Sequence, residues 1–595
     1  MDYDYGDGNS TPFNRSFMAL SNPLGDLQYN KRRFEVDVFQ GNLSADVTPL
    51  PGLTLSARFG FYLDNTQSSE LSNAYMGQTV NRGGDAEQES SRFYAFDQQY
   101  VGTWHRQVDD THDIDLTVGY DGYHRRTTTF GGYGTHIYNP GSWHLSNVTM
   151  DKDVWGSQGR YATAGWFGRL SYALAEKYLA SVSYRRDSSS RFHPDRRWGD
   201  FWSVSAGWLL NKEGFMAAAQ WVDMLKAKVS FGQQGNDGVG NDYAYADQYS
   251  ISGGAGRFSD VTLSYKGNPD LTWETMSNWN AGVDFAFWGS RLAGTVEWFN
   301  RKSDDMLYNK PVAPSNGYTS IPMNIGSISN YGVEIDLRGE PLRVGSLKWT
   351  LSANAAFTRN RINKLHPELG GRWETGNRVY EEGQSMYRYN IVEWAGVNPD
   401  NGAPQFMTTD DQGRRVVTTS YSAAETHRKA TGDCLPKVYG GFGTTVEFFG
   451  FDASASFSYQ LGGTMFDSGY SDLMHSGNAR GYNWHTDIRR AWTPTNTHTD
   501  VPRLDYGDVY GYSTSTRFLI SSNYLSLNNV TFGYTVPPKL VERVFLSSVR
   551  LYFTAENVAL WSKRKGLDPR QGFMSATTSV YTAVRSVSGG IKIAF

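Results

Sequence analysis

Cysteine is nearly missing: Cys434 stands alone among 595 residues, so the chain forms no internal disulfide and no cysteine-rich metal site. Net charge is almost missing too. Lysine and arginine number 56 against 60 aspartates and glutamates, so no basic field points to nucleic acid as a partner. Apolar residues make up only 39% of the chain. No apolar run approaches the roughly 18 residues of a membrane-spanning helix; the most apolar stretch, GFMAAAQWV at 214–222, falls far short. The opening MDYDYGDGNS is acidic and polar, unlike a secretory leader. H-E-x-x-H, P-loop and G-x-S-x-G sequences do not occur, and the 11 histidines are scattered without a pair at ligand spacing. No catalytic residue, metal or cofactor can be nominated, and an enzyme is not expected.

What is abundant is aromatic and alternating. Tyr, Phe and Trp reach 15%, and there are 63 glycines. GLTLSARFGFYLDN sets Leu53, Leu55, Ala57, Phe59, Phe61 and Leu63 against Thr54, Ser56, Arg58, Gly60, Tyr62 and Asp64. LKWTLSANAAFT and FDASASFSYQL do the same at 347–358 and 451–461. Reading for period two yields about nineteen such segments and almost no amphipathic helix. Short connections such as 48–52, 288–291, 340–346 and 398–402 alternate with long ones at about 66–90, 129–158, 236–277, 306–328, 361–385, 410–437 and 467–517. That record suits an up-and-down barrel with one short-turn end and one long-loop end.

A soluble sandwich would also reward such strands, but its strands run about 5–6 residues. A tilted membrane strand needs roughly 9–11, and the segments here run ten or more. Aromatics near the ends of apolar faces (Phe61, Tyr120, Phe287, Trp298, Phe357, Tyr534) fit the belts at a lipid–water boundary. The expected fold is therefore all-β, a transmembrane antiparallel barrel. The final SVSGGIKIAF alternates cleanly onto Phe595, which suits a closing strand that removes both sheet edges. In YLSLNNVTFGYTV the apolar parity jumps near Asn528 and Asn529, which predicts a β-bulge there.

Seven stretches occur in a recognisable order: YRRDSSSRFHPDRRWGDFWSVSAGW, LKAKVSFGQQGNDGVGNDYAY, GNPDLTWETMSNWNAGVDFAFWGSRLAGTVEWFNRKSDDML, NIGSISNYGVEIDLRG, GVNPDNGAPQF, NYLSLNNVTFGYTVP and YFTAENVALWSKRKGLDP. Together they resemble the SusC/RagA family of TonB-dependent outer-membrane transporters. The resemblance implies a plugged barrel of about 22 strands, set in the outer membrane of a Gram-negative bacterium. It implies import of large nutrients, oligosaccharides first and peptides as the alternative. The implied partners are a SusD-like lipoprotein over the mouth, the TonB complex acting through an N-terminal plug, and outer-membrane lipid. No TonB box or plug segment is visible before the first expected strand. The chain therefore reads as the barrel portion of a longer transporter, residues 1–33 preceding the wall and 34–595 forming it. A passive porin-like barrel is the reading from another class.

Substrate contacts are expected in the long loops, where aromatic platforms can stack on sugars or side chains. Trp143 and His144 in NPGSWHLSN, and Tyr482, Trp484 and His485 in GYNWHTD, are the candidates. The arginines of RRDSSSRFHPDRRW are expected to pair with carboxylates of the inner wall or loops. Glu334 and Asp336 read as inner lining. DYDYGDG at 2–8 fails as a calcium loop because Phe13 occupies the twelfth position. Asp237, Asn241 and Asp242 read as a solvated turn.

Overall fold

The structure, a computed structural model, describes residues 23–75, 79, 82–109, 111–253, 259–478, 483–542, 545–576 and 582–595. The faint calcium-like stretch at 2–8 lies outside them. A short helix, Pro23–Tyr29, precedes the first strand.

Among the described residues, seventeen strands form one antiparallel sheet. They are β1 (Lys31–Leu50), β2 (Leu53–Ser72), β3 (Asp85–Val108), β4 (His112–Ile137), β5 (Val148–Leu174) and β6 (Tyr178–Ser189). Next come β7 (Trp198–Leu209), β8 (Val222–Asn236), β9 (Glu274–Phe287), β10 (Leu292–Asp304), β11 (Ser327–Val344) and β12 (Leu347–Lys364). The sheet continues with β13 (Val438–Phe448), β14 (Phe451–Leu461), β15 (Tyr524–Thr535), β16 (Ser548–Ser562) and β17 (Ser586–Ala594). Each pairs with its neighbour in chain order, from β1–β2 through to β16–β17. No helix among the described residues is long and apolar enough to cross a membrane.

Alternation sorts the wall into two faces. Val118, Val182, Val283 and Phe532 stand exposed on the outer face, each more than a third accessible. The opposite face carries charges that pair across strands: Arg185 with Asp121 at 2.8 Å, Lys228 with Asp284 at 2.9 Å and with Glu297 at 3.0 Å. An apolar outside and a polar inside suit a wall with lipid behind it and water within.

Four expectations need correction. Seventeen strands, not nineteen, make the wall, because several short alternating segments belong to small sheets in the loops. NPDNG is one such case, turning between strands Trp394–Val397 and Pro404–Thr409 outside the wall. The connections expected at 66–90 and 129–158 are largely strand, since β2 to β5 run 20, 24, 26 and 27 residues. Beyond the membrane a ladder needs no apolar face, so backbone pairing continues where alternation has faded into runs such as Thr127–Thr128–Thr129. Finally, β17 pairs with β16 alone and β1 with β2 alone among the described residues, so Phe595 does not close the sheet on β1. The expected bulge is present: Ser456 faces Asn529 and Phe457 faces Leu527, leaving Asn528 unpaired.

Tight turns demand special backbone, and two glycines show why. Gly52 has φ +81, and a Cβ there would come within 2.2 Å of the His105 carbonyl oxygen. Gly450, at φ +85, turns β13 into β14.

Candidate functional site

Because neighbouring strands run antiparallel, connections fall alternately at the two ends of the wall. The end carrying 51–52, 109–111, 175–177, 288–291, 345–346 and 449–450 has mostly short turns, with longer links at 210–221 and 536–547. The other end carries 73–84, 138–147, 190–197, 237–273, 305–326, 365–437, 462–523 and 563–585. Most of the buried apolar core lies at this second end.

Three connections, 365–437, 462–523 and 563–585, pack into one layer. Phe518, Met474, Ala491 and Val501 form its centre, with Phe466 reaching a second cluster of Tyr389, Ile391 and Cys434. Polar bonds join the same segments. The Trp394 backbone N–H donates to Thr516 Oγ1 at 2.9 Å, the Tyr421 hydroxyl to the Thr514 carbonyl at 2.9 Å, and Arg564 Nε to Asp467 at 2.8 Å. The Tyr389 hydroxyl donates to the Met574 carbonyl. Burial and a hydrogen bond to Asp487 push the Tyr470 phenol up to about 12, and the same bond holds Asp487 below the usual carboxylate range. Arg517 lies against the rings of Trp394 and Phe518, and burial lowers it to about 10.

A second layer sits over β4 to β10. Phe192, Ala244 and Leu271 make its centre, with Trp273 and Leu307 against them. The arginine-rich stretch pairs as expected: Arg191 reaches Asp237 and Asp242, both at 3.2 Å, and Arg125 reaches Asp242 at 3.1 Å. The hydroxyls of Tyr161 and Ser189 donate to Asp237 at 2.7 and 2.6 Å. Asp237 and Asp242 are thus clamps that hold the 237–273 connection to the inner wall, not a solvated turn. The sequence hid this because the partners lie as far as 117 positions apart.

The nominated residues divide by loop and by role. Trp143 packs on the cluster of Leu71, Ala86 and Val148, so its ring is largely spent on structure. His144 is exposed just before the 3-10 turn Leu145–Asn147 and its carbonyl accepts from Asn147 N–H at 2.8 Å. Tyr482 lies outside the described residues. Trp484 keeps one open face, 47% exposed. Its other face stacks on His475 with centroids 5.1 Å apart, and its Nε1 donates to the His475 carbonyl at 2.8 Å. His485 is a cap: its Nδ1 accepts from the Asp487 N–H at 3.2 Å at the start of the 3-10 helix Thr486–Arg490. Among the described residues no hydrogen bond, ion pair or ring contact joins the two groups, which lie on the loops between β4 and β5 and between β14 and β15. His475, 1% exposed with no partner at Nε2 among the described residues, escaped the sequence reading, because nothing in its neighbours marks it as buried.

One further cluster was not foreseen. On the inner face near the short-turn end, His105 Nδ1 lies 2.9 Å from Asp115 and 3.4 Å from Asp113. Hairpin register explains it, since His105 sits opposite Asp115 in the β3–β4 ladder.

Comparison with known proteins places this architecture. Residues 1–558 match the family described as TonB dependent receptor-like, beta-barrel. The TonB-dependent receptor SusC of Bacteroides thetaiotaomicron is 28% identical over 579 residues, covering 92% of this chain and 55% of that protein. The TonB-dependent receptor P39 of Formosa agariphila is 26% identical over 625 residues, covering 94% of this chain and 58% of that protein. The structure of the RagAB peptide transporter superposes with a TM-score of 0.88 at 25% identity, covering 100% of this chain and 65% of that one. This chain therefore spans a little over half the length of these curated relatives.

Proposed function

Since this chain belongs to the TonB-dependent receptor-like β-barrel family, we propose that it is the wall and mouth of an energy-coupled importer in a bacterial outer membrane. One observation carries the reading: strands with an apolar outer face and a charged inner face bear their packed loops at a single end. A wall of that design gives a large polar solute a path inside and gives a covering partner a broad surface above. The partner in this reading is a surface lipoprotein of the SusD kind, and the TonB complex acts through a plug encoded ahead of residue 1. The cargo in this reading is a large oligosaccharide, which the resemblance of the seven ordered stretches implies. A peptide is the second reading, favoured by the RagAB peptide transporter sharing this fold at a TM-score of 0.88.

The test starts with the native protein in outer membranes, probed with an antibody to residues 580–595. A band well above the 66.7 kDa of this chain, and a lipoprotein that purifies with it, are expected. Loss of growth on oligosaccharides after gene deletion, with growth on peptides kept, fixes the cargo class; the reverse pattern selects peptides. A 66.7 kDa band with steady conductance in planar bilayers would replace the importer by a porin.

A further inference from the structure

The outer face of β12 reads Leu347, Trp349, Leu351, Ala353, Ala355, Phe357, Arg359, Arg361. No register shift interrupts the β11–β12 ladder from Leu351 to Arg361, so these side chains share one face. From Leu347, just after the short turn, to Phe357 is the length of one membrane crossing of about 9–11 tilted residues. Trp349 and Phe357 stand where the two aromatic belts belong. Arg359 and Arg361 then fall immediately above the apolar band, still facing outward, with Tyr331 and Ser329 beside them on β11.

Loop segments make a groove of this place. The floor is the β11–β12 surface, and the sides come from 383–388 and 432–437; the space measures about 960 Å³. Arg359, Arg361, Arg388 and Lys437 line it, against Asp433 alone among acids. Arg388 is held by Glu381 at 3.5 Å and by the Ala430 carbonyl at 3.3 Å. The Asp433 carboxylate accepts from the Leu435 N–H at 2.9 Å. Arg359, Arg361 and Lys437 are exposed, and among the described residues no ion pair reaches them. Two guanidinium groups side by side repel each other unless an anion comes between them. At this height, on the outside of the wall, the available anions are the headgroups of the outer leaflet.

We propose that this groove binds the phosphorylated headgroup of an outer-leaflet lipid. Arg359 and Arg361 take the phosphate with paired N–H donors, the geometry that guanidinium offers best. Lys437 supplies a further positive charge, and Phe357 packs on the chains below. The inference rests on the membrane-barrel reading, yet it adds a site outside the transport path.

The test uses the full-length protein extracted from native outer membranes in mild detergent and washed to constant lipid content. Phosphorus per protein, and the bound lipid by mass spectrometry, are compared for wild type, Arg359→Gln/Arg361→Gln and Arg359→Lys/Arg361→Lys. The Gln pair is expected to retain phosphorylated lipid roughly tenfold less well, and the Lys pair to recover part of it. Washing with inorganic phosphate should not displace the lipid, because chains as well as phosphate hold it. Equal phosphorus in all three proteins overturns the proposal, as does displacement by free phosphate or a crosslink from position 359 to a second copy of the chain. If the Gln pair fails to fold, judged by heat-modifiable gel mobility, Lys437→Gln gives the same reading. Absence of the wild-type protein from outer membranes would instead overturn the membrane reading itself.

Discussion

In the wall, Val118 is 55% exposed and belongs there; in the loop layer, Phe518 is 0% exposed and belongs there too. The two regions use apolar residues in opposite senses. The wall turns them outward on a two-residue period and relies on lipid to cover them. The loop layer turns them inward without any period and covers them with its own segments. The difference teaches where each region keeps its stability: the wall in its ladders and its solvent, the loop layer in packing density.

Breaking the loop layer should produce the largest effect. Phe518→Ala is expected to cost about 3–5 kcal/mol of local stability, and hydrogen exchange or trypsin cleavage within 462–523 would rise. The wall should keep its heat-modifiable gel mobility. Val283→Arg attacks the other region at mid-height of β9 and is expected to cost about 2–4 kcal/mol of barrel stability, read from urea unfolding in lipid. A result in which each substitution weakened both regions equally would erase the comparison. His485→Ala should cost about 0.5–2 kcal/mol through its lost cap and leave cargo binding unchanged, while Trp484→Ala, which loses the stacking on His475 and the hydrogen bond to its carbonyl, should cost about as much and also weaken cargo binding, measured by calorimetry. Equal binding by both variants would remove Trp484 from the site.

Acidity gives the smallest and sharpest distinction. Burial opposes ionisation of Asp568, but the Arg570 guanidinium and its backbone N–H more than offset this and hold the carboxyl below its ordinary 3.8. Asp487 is lowered as well, chiefly by Tyr470. A depressed carboxylate stabilises the fold above its ordinary value, and that contribution is lost as pH falls through the folded value. Proteolysis with an acid-active protease should therefore open the loop layer below about pH 4, with the wall intact. Tyr470 works at the other extreme: its raised value favours the folded layer below pH 10 and ceases to do so as pH rises through about 12.

How much of this was legible follows from the same contrast. Period two showed the wall strands from Leu53 to Ile593, and the parity jump near Asn528 and Asn529 gave the bulge, which falls at Asn528. Long upper strands were hidden because Thr127 to Gly132 need no apolar face above the membrane. The loop layer was hidden because its contacts join distant segments, as Trp394 does with Thr516. Of the nominated residues, Trp143 and His485 proved to be packing and capping groups, for an aromatic in a turn-rich loop looks the same whether its ring faces water or a neighbour. Trp484 kept an open face, but only its stacking on His475 shows which one.

The loop layer also carries a consequence for the order of assembly. Its bonds span the chain widely: Arg564 meets Asp467 across 97 positions and Tyr389 meets Met574 across 185. Contacts of such long sequence separation form late, because closure of the intervening chain must come first. The layer can set only after β13 to β16 have been delivered, while each hairpin of the wall can zip from its own turn. A pulse of protease during biogenesis should thus find 365–437 cleavable in molecules whose strands are already resistant, and the same segment silent minutes later.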